Sequence, residues 1–344
     1  GLIGHTMYGI LARREARARG LSIATLLARH DASYLCGAYL GCDIQTMPEA
    51  VCVDTGQEVG FATVPVEKSP ITGGAVRPWS LVCDGREYRP RAIHDRFYGR
   101  AHLVFGWAAA ERQHVVPWDH LADYVAATIG DAIDFLGAEG RTIAYLFGWL
   151  VHIVGDSLIK SQRPGLRLTL VDGTYTPTNR PIQDLVTFHE VGRMELGLDW
   201  ERTLGTLAAT PVEPAQLHAM RVTRPRGALA ALFPNAWAPG DESLARCVLA
   251  ENRRYLAPYA ERLLGEYRLT DGPEGPMCDA NLSRLAGGLT YRQMVAAAEQ
   301  AHFRDALDFI ARETVDLFEQ VLDREPRLEH VLRRCSDDGA NQGG

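Results

Sequence analysis

Apolar residues recur at helical spacing along most of the chain. Over residues 5–29, apolar positions such as Met7, Ile10 and Leu11 lie three or four apart, and arginines occupy many of the other positions. This is the pattern of helices that bury one face, so the sequence predicts a mainly α fold, a multi-helical bundle forming one domain over residues 1–335. The same spacing predicts further helices over residues 31–41, 96–112, 118–137, 141–160, 183–208, 213–221, 242–266, 290–303 and 304–323.

The pattern changes in three places. Between residues 51 and 91, valine, threonine, proline and glycine are frequent, and Asp54-Thr55-Gly56 and Asp84-Gly85 are turn signals. This pattern predicts a small β-rich or irregular insertion. Residues 161–182 contain three prolines, which predicts a loop. The polar, glycine-rich end, residues 336–344, predicts a disordered tail.

Charge and composition narrow the functional classes. The net charge is −7, so there is no overall basic field that would attract nucleic acid. The longest apolar run, residues 143–155, is shorter than the roughly 20 residues of a membrane helix, so no transmembrane segment is predicted. Nothing in the composition indicates the oligomeric state.

The chain has seven cysteines without a CxxC pair. An odd number of cysteines without a motif is typical of reduced thiols in a cytoplasmic protein. No signal peptide is visible, but removal of one before Gly1 would instead give a secreted protein. We therefore expect a cytoplasmic protein, with secretion as the alternative.

The apolar helix predicted over 141–160 carries two groups that could bind a metal. His152 and Asp156 are four residues apart, so they lie on the same face, one turn apart. An ionised carboxylate is costly to bury unless a cation compensates it, and a divalent metal accepts imidazole and carboxylate together. The alternative is a hydrogen-bonded His–Asp pair in the core.

Three further residues extend this pattern when they are taken together. His5 ends the opening Gly-Leu-Ile-Gly-His, Asp43 ends a Gly-Ala-Tyr-Leu-Gly-Cys-Asp run, and His94 follows the predicted insertion. With the central helix, these motifs resemble the zinc-dependent phospholipase C family, which is related to the single-strand-specific zinc nucleases. The resemblance covers about the first 200 residues in short separated motifs, and the segment 144–157 is its most specific part.

The resemblance implies an all-α fold around one to three zinc ions that hydrolyses a small-molecule or lipid phosphate ester through a metal-activated water. By position, it implies a first metal site formed by Asp43, His94, His152 and Asp156. Asp156 would bridge metals, His5 would belong to a further site, and Asp43 could also act as a general base. Asp43 and Asp156 are therefore the candidate catalytic residues.

The sequence also departs from the family pattern. The family's His-x-x-x-Glu helix has its counterpart near residues 188–195, where Val191 stands in the histidine position if Glu195 is aligned. His189 is two residues out of that register, on another helix face. His189 and Glu195 are thus the candidate ligands of a second metal site, which the pattern supports less well.

Cations stand close to the candidate ligands. Where the family carries another histidine, this chain has Lys160 and Arg163, and Arg96 follows His94 by two residues. Guanidinium groups bind phosphate through paired hydrogen bonds, so these three residues are candidate substrate-binding groups. The alternative places them on the solvent-exposed surface.

Three functions fit these observations. The first is a zinc-dependent phosphodiesterase similar to phospholipase C. The second is a helical binding or accessory protein of the same fold with less metal and with lost or altered catalysis. The third is an HD-type phosphohydrolase, for which His30-Asp31 and His94-Asp95 are adjacent candidate pairs.

Overall fold

The structure is a computed structural model of the 344-residue chain. It describes residues 1–39, 46–60, 65–102, 116, 118–159, 178–220, 239–273 and 275–340.

Helices dominate the described residues, which confirms the predicted mainly α fold. The α-helices are α1 Leu2–Ala18, α2 Ile23–Arg29, α3 Asp31–Tyr39, α4 Pro90–His102, α5 Leu121–Leu136, α6 Gly140–Ile159, α7 Asn179–Val186, α8 Trp200–Ala209, α9 Glu213–Met220, α10 Asp241–Glu266, α11 Ala280–Leu285, α12 Tyr291–Gln300, α13 Phe303–Arg324 and α14 Arg327–Ala340. A 3₁₀ turn, Trp118–His120, precedes α5, and a π-helix, Thr187–Glu195, follows α7.

Some helix boundaries differ from the predicted ones. The helix predicted over 5–29 is two helices, because Gly20 at φ +71° ends the first. Helix α7 begins four residues before the helix predicted from 183, because it accommodates Pro181 in its first turn, where a proline removes no helical hydrogen bond. The rest of the predicted loop, 161–177, lies outside the described residues. The tail predicted to be disordered from 336 belongs in part to α14, which runs to Ala340.

The predicted β-rich insertion is confirmed between α3 and α4. Its strands are β1 Ala50–Cys52, β2 Glu58–Val59, β3 Val76–Pro78, β4 Leu81–Cys83 and β5 Arg86–Tyr88. β1 lies between β2 and β3 and is antiparallel to both, and β4 and β5 form a hairpin. Glu58 of β2 links the insertion to α10. Its carboxylate accepts hydrogen bonds from Trp79 Nε1, within the insertion, at 3.1 Å and from the Tyr255 hydroxyl of α10 at 2.6 Å. A further hairpin, β6 Thr270–Gly272 and β7 Gly275–Met277, precedes α11.

A disulfide also joins the insertion to α10. Cys83 of β4 pairs with Cys247 of α10, and their Cα atoms are 6.3 Å apart. The expectation of reduced thiols is therefore wrong for this pair, which is 164 residues apart in the chain and so forms no short motif. Cys36, Cys52 and Cys278 are free thiols.

Helix α6 lies at the centre of the core. Every residue from Thr142 to Ile159 is buried, and α6 contacts α1, α3, α5, α9 and α13. By length and composition this helix could span a membrane. The helix is completely buried within the protein, as a core helix would be. Its length and apolar composition are therefore weak evidence for a membrane span.

Two glycines bring the backbones of α3 and α6 into direct contact. A Cβ atom on Gly37 would overlap the Tyr145 carbonyl oxygen, and one on Gly148 would overlap the Tyr34 carbonyl oxygen. Only glycine allows this approach, because any side chain would push the helices apart. The two glycines therefore set how closely α3 and α6 pack.

We expect Gly148→Ala to lower the free energy of unfolding by about 1–3 kcal/mol or more, because the new methyl group would overpack rigid backbone. Gly205→Ala in α8 is the matched control, since nothing lies within 4 Å of a Cβ at that position. The control should gain up to about 1 kcal/mol from helix propensity. Urea denaturation measures both changes, and equal stabilisation of the two variants would contradict the described α3–α6 contact.

Candidate metal centre

Three side chains from two helices converge where α1 crosses α6. His5 belongs to α1, and His152 and Asp156 belong to successive turns of α6. Their exposed fractions are 6%, 2% and 4%, so all three are buried. Because α6 is apolar and is buried along almost its whole length, His152 and Asp156 are buried with it.

The close approach of α3 sets the proton position on His152. Its Nδ1 atom lies 3.0 Å from the Ala38 carbonyl oxygen, which can only accept, so Nδ1 carries the proton in this hydrogen bond. In the neutral ring, Nε2 then presents a lone pair, and it lies 4.0 Å from Asp156 Oδ2. A backbone carbonyl bound to the far nitrogen is the usual support of a metal-binding histidine.

His5 has a similar arrangement. Its Nδ1 lies 2.9 Å from the Gly1 carbonyl oxygen, to which it donates in one tautomer, and 3.3 Å from the Gly1 amino nitrogen, from which it accepts in the other. Its Nε2 lies 3.0 Å from Asp156 Oδ1. Burial lowers the pKa of His5, so the neutral ring is favoured near neutral pH. The rings of His5 and His152 stack 4.2 Å apart, an arrangement that two charged rings would disfavour.

These three residues could hold a metal ion. One ligand atom from each lies within 4.8 Å of the others, and this is the one such group that the described part of the chain contains. Ligands of a tetrahedral zinc ion are about 3.3 Å apart, given bonds of about 2.0–2.1 Å, so the 3.0 Å and 4.0 Å contacts are close to what one ion needs. Two imidazoles and a carboxylate serve zinc and also iron(II), so the donor set does not identify the metal.

A narrow pocket opens beside His5 and Asp156. Helix α7 and the start of the π-helix form its other wall, with Arg180, Gln183 and Asp184 among the lining residues. Its cavity volume is about 20 Å³, which is room for about one water molecule. The pocket is therefore suited to an ion with a small ligand and not to a whole substrate molecule.

Tyr267 holds Asp184 in this wall. The Tyr267 hydroxyl donates to Asp184 Oδ2 at 2.9 Å, and burial raises the pKa of Tyr267 well above its ordinary value. His189 in turn donates from Nε2 to the Tyr267 carbonyl oxygen at 2.7 Å. Because that carbonyl occupies its Nε2, His189 acts as a support of the wall in this structure.

The other predicted site residues lie elsewhere or outside the described residues. Asp43, Lys160 and Arg163 belong to segments that the structure does not describe. His94 lies half-buried in α4 and is not part of the His5 group. Of the six predicted metal ligands that the structure describes, the geometry brings together three.

Glu195 and Arg96 take part in ion pairs away from the pocket. Both oxygens of Glu195 accept from Arg304 of α13, at 2.7 and 2.8 Å, and these bonds lower the pKa of Glu195. Arg96 pairs with the buried carboxylate of Asp241 at the start of α10. In this structure both residues join helices, and neither faces the His5 group.

Sequence reasoning missed the wall formed by α7. Arg180 lies in the loop predicted as far as residue 182, and Gln183 and Asp184 lie at the start of the helix predicted over 183–208, where neither carries a motif. A signal was present: Arg180 and Asp184 are four residues apart and alternate with the apolar Ile182, Leu185 and Val186. That spacing is typical of a helix with a polar edge beside a buried face.

Comparison with protein-family models, with curated proteins and with solved structures found no match.

The lowered pKa of His5 predicts how the metal-free protein responds to acid. The unfolded chain binds a proton on His5 near the ordinary pKa of 6.5, whereas burial opposes protonation in the folded state. The contribution of His5 to the free energy of unfolding should therefore be constant above pH 6.5. Below pH 6.5 it should fall by up to about 1.4 kcal/mol per pH unit. Melting of chelator-treated protein from pH 7.5 to 5.0 measures this. His5→Gln should show a shallower decline, and an identical decline in both proteins would contradict the assignment.

Proposed function

We propose that this chain binds a divalent metal ion, zinc, through His5, His152 and Asp156 and hydrolyses a phosphate ester. The observation that carries the proposal is the direction of the two imidazoles. Each ring has Nδ1 within 3.0 Å of a backbone carbonyl, and donation from Nδ1 directs the Nε2 lone pairs of both rings towards the same buried carboxylate. A divalent cation at that point would bind both nitrogens and the carboxylate together.

Each residue has a distinct role in this proposal. His5 and His152 supply neutral nitrogen ligands, and their bonds to Gly1 and Ala38 keep the rings from rotating. Asp156 supplies the charge that favours a dication over a monovalent ion. A divalent ion in such a site supplies Lewis acidity towards a phosphoryl oxygen and lowers the pKa of a bound water.

The choice of a phosphate ester rests on two further points. Arg180 brings a guanidinium to the same pocket, and guanidinium groups suit phosphate oxygens. The sequence motifs around His5 and His152 resemble those of zinc-dependent phospholipases C. The substrate would be a small-molecule or lipid phosphate ester whose remaining part extends out of the narrow pocket. The roles proposed for Asp43, Lys160 and Arg163 stay predictions.

One observation favours a second function. The pocket has room for about one water molecule, and closed metal sites are structural more often than catalytic. In that case the ion would fasten α1 to α6, and the chain would act as a binding or accessory protein. The two functions share the metal and differ in turnover.

We expect His152→Gln and Asp156→Asn each to lose the bound zinc. Removing a ligand should weaken affinity by more than the roughly 10–100-fold that changes to supporting groups cost. Metal content after dialysis against limiting chelator measures this loss. His120→Gln, an exposed histidine paired with Asp123, is the control and should keep wild-type content. Zinc retained by both site variants would refute the assigned ligands.

Turnover distinguishes the two functions. Zinc-loaded protein should hydrolyse bis(p-nitrophenyl) phosphate, and chelation should stop the reaction until zinc is restored. If the loaded protein is inactive but melts at a higher temperature than the metal-free form, the ion is structural and the second function holds. Asp156→Asn should be inactive in either case, so it serves as the background.

A further inference from the structure

Gln183 presents a buried hydrogen-bond donor to the metal pocket. The residue is 8% exposed, lines the pocket together with His5 and Asp156, and has no hydrogen-bond partner for Nε2 among the described residues. Buried amide groups in native proteins are nearly always paired. An amide nitrogen can only donate, so the group that completes this site must offer an acceptor oxygen.

Arg180 gives that acceptor a charge preference. It precedes Gln183 by three residues on α7, so both side chains lie on one face of the helix, and both line the pocket. The Arg180 Nε atom is 4.0 Å from Asp184 Oδ2, longer than a hydrogen bond, and Oδ2 already accepts from Tyr267. The guanidinium of Arg180 therefore brings a positive charge to the same wall of the pocket as the Gln183 amide.

We infer that Gln183 and Arg180 form an oxyanion-binding wall of the metal pocket, in which Nε2 of Gln183 donates to an anionic oxygen of the ligand and Arg180 offsets its charge. This rests on the proposed metal site, because the anion lies between that wall and the His5 group. Phosphate has the right chemistry, since its oxygens accept from amide and guanidinium donors at once. A single bound water would also satisfy Nε2, and the test separates the two.

The test measures affinity of the zinc-loaded protein for inorganic phosphate by calorimetry, with zinc content measured on the same samples. Gln183→Leu removes the donor and should weaken phosphate binding about tenfold, as expected for a hydrogen bond to a charged group. Arg180→Met should weaken it by a similar factor. Gln183→Glu keeps the size but adds a negative charge, so it should abolish phosphate binding. All three variants should retain zinc.

Gln300→Leu and Arg202→Met are matched controls on exposed helix positions and should bind phosphate like the wild type. Phosphate affinity within twofold of wild type in zinc-loaded Gln183→Leu and Gln183→Glu would overturn the inference and assign a water to Nε2. Zinc-loaded wild type that does not bind phosphate would also overturn it, and the metal site would stand. If the wild type binds no zinc, both the proposed function and the oxyanion-binding wall are refuted. If Gln183→Leu misfolds, Gln183→Glu still tests the inference, because it keeps a polar side chain of the same size.

Discussion

The backbone contact between α3 and α6 is the constraint on which the site depends. Gly37 and Gly148 let the two helices approach until carbonyl oxygens lie where side chains would otherwise be. That approach brings the Ala38 carbonyl within 3.0 Å of His152 Nδ1. The proton on Nδ1 then leaves Nε2 as an acceptor facing Asp156. A packing feature that sequence marks only by two glycines thus determines the chemistry of a side chain one turn further along α6.

Helix α1 is held in the same way. A Cβ on Gly155 would overlap the ring of Tyr8, so the turn of α6 between His152 and Asp156 lies directly against α1. This contact brings His5 Nε2 within 3.0 Å of Asp156 Oδ1. This contact has an electrostatic cost. Burial lowers the pKa of His5 and so disfavours the protonated ring that would pair with a carboxylate. A divalent ion at the proposed site would balance the Asp156 carboxylate without protonation of His5.

The parts of the site that sequence could predict are those encoded locally. His152 and Asp156 are one turn apart on an apolar helix, and that spacing alone placed them on one buried face. His5 came only from the resemblance, because nothing within its own helix indicates which turn of α6 it meets. The α7 wall was not predicted, because Pro181 indicates a loop in the sequence although the first turn of a helix tolerates a proline. The Cys83–Cys247 disulfide joins residues 164 apart, so no spacing rule reaches it.

The two sides of the pocket carry opposite chemistry. On one side, His5 and Asp156 offer lone pairs that suit a cation. On the other, Gln183 and Arg180 offer N–H groups that suit an anion, and Tyr267 holds Asp184 between them with its hydroxyl. A cation alone would leave the Gln183 donor without an acceptor, and an anion alone would meet the Asp156 carboxylate. A cation that carries an oxygen ligand would satisfy both walls, and the positive charge of Arg180 favours an anionic oxygen over a water in that position.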